Sequence, residues 1–245
     1  MKIVKKIIFP GIVVYIVWWL AALILHRPIL PVPHKVIMEF IMIFPDVLWK
    51  HMIVSLYRVT CAMGIALLLG LPIGLFLGRN KEADQYFSPI IYLLYPVPKI
   101  ALLPVIMLLF GLGDLAKIFT ITMIVFFLIL ITARDAGKNI DRQMYYSLIS
   151  MGAGEMQMYR HVILPAVMPE IFTIIRLSIG TAIAVLFFTE TFATSYGIGY
   201  FIIEAWTRIM YDEMFAGIIG LSLIGFVLYA IVDFFEKKVC KWKNI

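Results

Sequence analysis

Six long apolar runs dominate the chain, at 7–25, 53–78, 87–111, 115–133, 168–189 and 215–235, separated by polar segments of unequal length. A helix needs about 20 apolar residues to cross a bilayer's hydrocarbon core. Inside lipid, a backbone must also satisfy its own N–H and C=O groups, which a helix does within one segment. The chain is 63% hydrophobic and 15% charged, whereas soluble domains run nearer half apolar and a quarter charged. The excess does not fit one water-soluble core. The expected fold is all-α: a polytopic membrane protein of about six transmembrane helices, forming one membrane domain over 1–245.

The first run follows Lys2, Lys5 and Lys6. It is longer than a signal peptide's apolar region, and Trp18-Trp19 stands where small residues would mark cleavage. An uncleaved first span is expected. Six spans put both termini on one side. Basic residues near the termini, in the turn at Arg79 and in the island 134–163 number thirteen, against five in the opposite loops. The positive-inside bias then places the termini and the island in the cytoplasm and the chain in the plasma or inner membrane. The net charge of +6 forms no stripe on a soluble face, so no nucleic-acid partner is expected; membrane lipid is. Cys61 and Cys240 fall at different depths, and His26, His34, His51 and His161 are scattered, so neither a disulfide nor a metal site is indicated.

Within the spans three patterns stand out. Gly70, Gly74 and Gly78 recur every four residues, which sets small residues along one helix face and lets another backbone approach closely. The third run holds Pro89, Pro96, Pro98, Pro104 and Lys99. Proline removes a backbone donor, and broken backbone survives at membrane depth only where protein or water satisfies it. This run either faces a bundle interior or pathway, or lies at an interface with Lys99 reaching water. Glu190, at the end of the fifth run, is either a pathway residue or an ordinary boundary residue. Arg176 snorkels or pairs with a neighbour, and Arg134-Asp135 reads as a solvated boundary pair. The segment 36–44, with Glu39, is short and is either an interfacial helix or part of a span. Arg79–Asp84 reads as a short charged turn, and 191–214 as a polar loop.

The island 134–163 is longer than two membrane helices need for a turn. Met144, Leu148, Met151, Met156 and Met158 alternate with Arg142, Gln143, Ser147, Glu155, Gln157 and Arg160. Gly152, Ala153 and Gly154 mark a turn between short helices, and Leu164-Pro165 stops one helix and starts the next. Met-rich faces adapt to a partner groove. The alternative is an amphipathic helix lying on lipid.

This island resembles the cytoplasmic loop of the membrane subunits of ABC-type importers, whose pattern runs Glu-Ala-Ala, three residues, Gly, a spacer, then Ile and Leu-Pro. Gly152, Ile163, Leu164 and Pro165 take the matching places, and Tyr146-Ser147-Leu148 departs from the opening triplet. Ile29-Leu30-Pro31-Val32-Pro33 is similar to a Leu-Pro-x-Pro segment of the nitrate/sulfonate/taurine-type permease branch. So are Tyr95-Pro96-Val97-Pro98 with Ala101–Pro104, Phe110–Gly113, and Glu190 with Gly197–Tyr200. The resemblance implies the type I ABC importer transmembrane fold. It implies a loop (Tyr146, Ser147, Leu148, Gly152, Ala153, Gly154, Tyr159, Ile163, Leu164, Pro165) that docks into an ATPase, and a pathway near Pro96, Pro98, Lys99, Pro104 and Glu190. It further implies a second permease copy, two ATPase subunits holding ATP and Mg, and an extracytoplasmic substrate-binding protein.

No G-x-x-x-x-G-K-[ST] loop occurs in the sequence, so ATP hydrolysis is expected on a partner chain, with no catalytic residue and no cofactor here. An ion-coupled secondary transporter is the alternative. It would often show a repeated half, and none is evident. An intramembrane enzyme would want clustered acids or histidines at one depth. A plain anchor would not need a proline-broken span. The solute stays open among nitrate, sulfonates, taurine, bicarbonate and pyrimidine-type vitamin precursors.

Overall fold

A computed structural model describes residues 2–140, 152 and 154–241. Every regular element among them is helical: α1 (Lys2–Leu25), α2 (Pro33–Ile43), α3 (Trp49–Arg79), α4 (Lys81–Leu94), α5 (Leu103–Phe110), α6 (Asp114–Lys138), α7 (Glu155–Met158), α8 (Leu164–Glu190), α9 (Ile198–Thr207) and α10 (Tyr211–Val239). Among the described residues four helical stretches are long and apolar enough to cross a membrane, and a fifth if a bent pair counts as one span.

That bent pair replaces the single third span expected over 87–111. Asn80 caps α4 by accepting from the Ala83 amide at 3.0 Å, so the helix begins at Lys81, inside the segment read as a charged turn. It ends at Leu94, because Pro96 and Pro98 offer no amide to continue it. A 3-10 turn at Lys99–Leu102 follows. Pro104 then sits in the first turn of α5, where the missing N–H has no intrahelical partner to lose. The two halves meet at a bend of 72°.

Three other expectations change. The segment 36–44 is not a separate interfacial helix: α2 runs through a π turn at Phe44–Leu48 into α3, giving one helical stretch Pro33–Arg79. Pro165 does not stop a helix either. A π turn at Tyr159–Ile163 joins α7 to α8. In both places the wider turn falls beside a proline (Pro45, Pro165), where a regular i to i−4 bond is lost. The loop 191–214 contains a helix, α9, whose apolar Ile198, Phe201 and Ile202 are buried.

The chain divides into two compact units, one of Met1–Ser55 with Glu190–Ile224 and one of Leu56–Thr189 with Gly225–Ile245. In the first, the Trp18 indole donates to the Pro31 carbonyl at 3.1 Å and its ring meets Phe215 at 5.6 Å. Gly217 admits α9 against α10: a Cβ there would lie 2.7 Å from Ile202 Cγ1. In the second, Leu75, Ala133, Ala136, Val167 and Ile171 form a buried cluster across α3, α6 and α8. Leu103, Ile106, Met107 and Ala116 form another where α5 meets α6.

Candidate functional site

The glycine row explains how the second unit is built. A Cβ on Gly70 would lie 3.1 Å from the Phe126 carbonyl oxygen, and one on Gly74 would lie 2.5 Å from that of Leu130 and 2.7 Å from Ala133 Cβ. One on Gly78 would run into the Arg134 carbonyl. The obstacles are mostly backbone, which cannot rotate away as a side chain can. The three glycines let α3 lie directly on the last four turns of α6, the helix that leads into the island.

At that end of α6 lies a charge cluster. The Arg134 side chain is 7% exposed and that of Asp84 12%. The Arg134 Nε and Nη2 both donate to the Asp84 carboxylate, the second at 3.1 Å. Lys138, one turn on, reaches the same carboxylate at 2.5 Å, and the Ser88 hydroxyl donates to it at 2.5 Å. Arg134 Nη1 donates to the Tyr92 hydroxyl at 2.9 Å and to Asp135 at 3.0 Å. Arg134 is therefore not half of a solvated boundary pair: its guanidinium is buried between α6 and α4. A bidentate arginine–carboxylate pair fixes geometry as well as charge. Sequence reading passed over Asp84, Ser88, Tyr92 and Lys138. The available signal was spacing, since Asp84, Ser88 and Tyr92 fall at i, i+4 and i+8 on one face of α4.

Of the island residues, Tyr146, Ser147, Leu148 and Ala153 lie outside the described residues, and the Tyr159 side chain is not described. Gly152 has φ +74°, a left-handed conformation that side chains resist. The Gln157 side chain caps the next helix, accepting from the Gly154 amide at 3.0 Å. His161 Nδ1 lies 3.0 Å from the Gln157 carbonyl oxygen. Ile163 is fully buried and Leu164 exposed. From Glu155 the helical run continues through Leu164-Pro165 to Glu190.

Lys99 neither reaches water nor stands bare in a cavity. It is 8% exposed and donates to the carbonyls of Leu94 at 3.0 Å, Tyr95 at 2.9 Å and Val97 at 3.4 Å. It also sits 4.4 Å from the Phe127 ring centroid. These carbonyls lie at and just beyond the end of α4, where regular helix bonding stops, and a cation at a helix C-terminus is favoured by the dipole. Pro96 and Pro98 make the break and Lys99 satisfies it.

In the first unit Glu190 is fully buried. Ser55 donates to its carboxylate at 2.8 Å and the Gly199 amide donates to it at 2.9 Å. The Ser55 hydroxyl also accepts from the Ile198 amide at 2.8 Å. His51 Nδ1 lies 3.0 Å from the carbonyl oxygen and 3.1 Å from the amide nitrogen of Gly197. Glu190 and Ser55 thus hold the first turn of α9, with the carboxylate at its positive end. The remaining span cations are paired too. Arg58 donates to Asp114 at 2.6 Å, Arg176 pairs with Glu236, and buried Lys117 donates to the Leu112 carbonyl at 2.9 Å. Among the described residues no group of three His, Cys, Asp or Glu is placed to hold a metal.

A family profile described as the inner membrane component of binding-protein-dependent transport systems matches residues 70–241. The taurine transport system permease protein TauC of Escherichia coli (strain K12) is 32% identical over 234 residues, covering 92% of this chain and 85% of its own. SsuC of Bacillus subtilis (strain 168), named for aliphatic sulfonates transport, is 30% identical over 242 residues, covering 98% and 88%. In fold, the chain is similar to one in the inward-facing MetNI methionine ABC transporter, with a TM-score of 0.64 at 20% identity, covering 82% of this chain and 98% of that one.

Proposed function

Because the chain belongs to the family of inner membrane components of binding-protein-dependent transport systems, we propose that it forms the solute pathway of an ATP-driven importer and takes its drive from a separate ATPase through the loop after α6. The permease role and the inner-membrane setting follow from the family. The drive, the loop's role as coupling element and the assembly are the proposal: two copies of this chain, two ATPase subunits on the cytoplasmic side, and a binding protein outside. The solute proposed is small and of the taurine or sulfonate class, as the names of the relatives suggest.

One observation carries the coupling reading. The helical run that starts after the Gly152–Gly154 turn enters the long helix α8 without interruption. A displacement applied near Gly152 therefore reaches the membrane helix through hydrogen-bonded backbone instead of through a slack loop. Such a link is what a two-state motor needs, because ATP binding shifts a transport equilibrium only through its differential affinity for the two states.

Proline is locked near φ −65°, far from the +74° at Gly152. Gly152→Pro is therefore expected to leave membrane insertion intact and keep ATP hydrolysis, and to reduce uptake per ATP about tenfold or more in proteoliposomes, with taurine as the first solute offered. Uptake that persists without ATP and collapses with an ion gradient would instead identify a secondary transporter. Normal uptake by Gly152→Pro would refute the coupling reading.

A further inference from the structure

We propose that Asp84 is the positioning residue through which motion of the coupling loop enters the broken helix pair α4/α5. This rests on the coupling reading above and adds to it a route and a residue.

The route is built from contacts within one unit. The loop leaves α6 at Lys138. Four residues earlier Arg134 grips Asp84, and Lys138 grips the same carboxylate. Two cations one turn apart on α6, holding one carboxylate on α4, resist both sliding and rotation of one helix against the other. On its other flank α6 is held by steric contact, where the Arg134 carbonyl lies against Gly78. The end of α6 is therefore held to α3 by contact and to α4 by charge.

Downstream, α4 is a 14-residue helix, about 20 Å long. Its polar face Asp84, Ser88 and Tyr92 lies along Arg134. Its far end is the break capped by Lys99, whose ammonium lies over Phe127 of α6. So α6 meets α4 at Asp84 and Tyr92 and meets the turn just beyond it at Lys99, and the bend between α4 and α5 lies at that last contact. A shift of the α6 terminus is delivered first at Asp84 and arrives at Pro96–Lys99, the segment for which the family resemblance implies a place near the pathway. Buried ion pairs contribute little net stability against apolar replacements. Their best-attested use is to fix register, which is the role assigned here.

The test uses the tagged chain purified with its companion ATPase from its own membrane and returned to liposomes. Cys61→Ala and Cys240→Ala remove native thiols, and Val97→Cys places a reporter at the break, where Val97 is 41% exposed. The readout is the rate of N-ethylmaleimide labelling with Mg-ATP and vanadate over the rate without nucleotide. The parent is expected to show a ratio displaced about fivefold or more from unity, the lower end of usual coupling between sites. Asp84→Asn is expected to bring the ratio close to unity with the ATPase still bound. The exchange Asp84→Arg with Arg134→Asp is expected to restore at least half of the displacement. Should Asp84→Asn not assemble, Lys138→Met, at a side chain 40% exposed, decides: it is expected to reduce the displacement by about half, on the view that one of two cations is lost.

An unchanged ratio in a folded Asp84→Asn or Lys138→Met overturns the proposal. So does an exchange variant that assembles and stays near unity, since a merely structural loss would not distinguish charge order. A parent that binds the ATPase and shows no nucleotide dependence at Val97→Cys overturns this inference and leaves the coupling reading standing. A parent from which the ATPase is absent overturns both.

Discussion

The seam between α3 and α6 gives a sharp test, because α3 carries its own control. Gly74→Ala places a Cβ 2.5 Å from the Leu130 carbonyl oxygen and 2.7 Å from Ala133 Cβ, where ordinary contact begins at 3.4 Å. The two backbones must part by about 1 Å, a gap that already forfeits a quarter to a half of each dispersion well along the seam. Overpacking of this kind costs about 1–3 kcal/mol. Gly64→Ala, in the same helix, meets nothing within 4 Å. Both substitutions gain the same helix propensity, about 0.5–1 kcal/mol, so the difference between them isolates the packing. We expect Gly64→Ala to be stabilising by that amount and Gly74→Ala to be destabilising by about 1 kcal/mol net. The separation of about 2 kcal/mol corresponds to about a 30-fold change in the folded-to-unfolded ratio. Unfolding of the purified chain in mixed micelles by increasing mole fraction of sodium dodecyl sulfate, followed by tryptophan fluorescence, measures both. If the two variants unfold at the same midpoint, α3 and α6 are not in contact at Gly74 and the seam is wrong.

Ser55→Ala removes the donor to Glu190 and the acceptor of the Ile198 amide together. It is expected to cost about 1–3 kcal/mol, because buried polar groups are left unsatisfied, and faster amide exchange at Ile198 and Gly199 would report it; unchanged exchange there would count against the cap. Arg176→Met alone breaks the ion pair with Glu236 and is expected to cost about 3–5 kcal/mol, whereas Arg176→Met with Glu236→Leu is expected to recover most of it. A double variant no more stable than the single one, in the same micelle titration, would show that the pair is not what holds α8 to α10.

Legibility in the sequence followed the range of the interaction. The Gly70, Gly74 and Gly78 spacing pointed to a close helix approach, and the structure has backbone at all three. Gly152 was read as a turn and has a left-handed backbone. These features depend on local conformation and residue size, which a sequence carries directly. The prolines showed that the third run is broken, yet not that it becomes two helices at 72°. That angle depends on what Lys99 and Phe127 do with the freed carbonyls. Pro165 misled for a related reason: a π turn lets a helix pass a proline, and nothing in the composition distinguishes passing from stopping. The Asp84–Arg134 pair joins residues 50 positions apart. It was hidden because each partner alone reads as a charge near a membrane boundary.

Charges at membrane depth usually mark a binding or conducting group, and the spans of the second unit suggest a different use. Arg58, Arg134 and Arg176 each meet a carboxylate on another helix. Lys99 and Lys117 also meet backbone carbonyls, those of residues 94, 95 and 97 and those of residues 112 and 113. A planar guanidinium matches a carboxylate fork and ties two helices in register. An ammonium presents three donors in a cone and suits convergent carbonyls at a helix end. The two lysines thus stand at the two ends of the α5 segment, where the backbone ladder is interrupted and lipid could not satisfy it. Short, broken helices at α4–α5–α6 persist in an apolar setting because each interruption has a cation of its own. A fold that needs such breaks to bend must carry charges to stabilise them, and this accounts for the basic residues in these spans without assigning any of them to the solute.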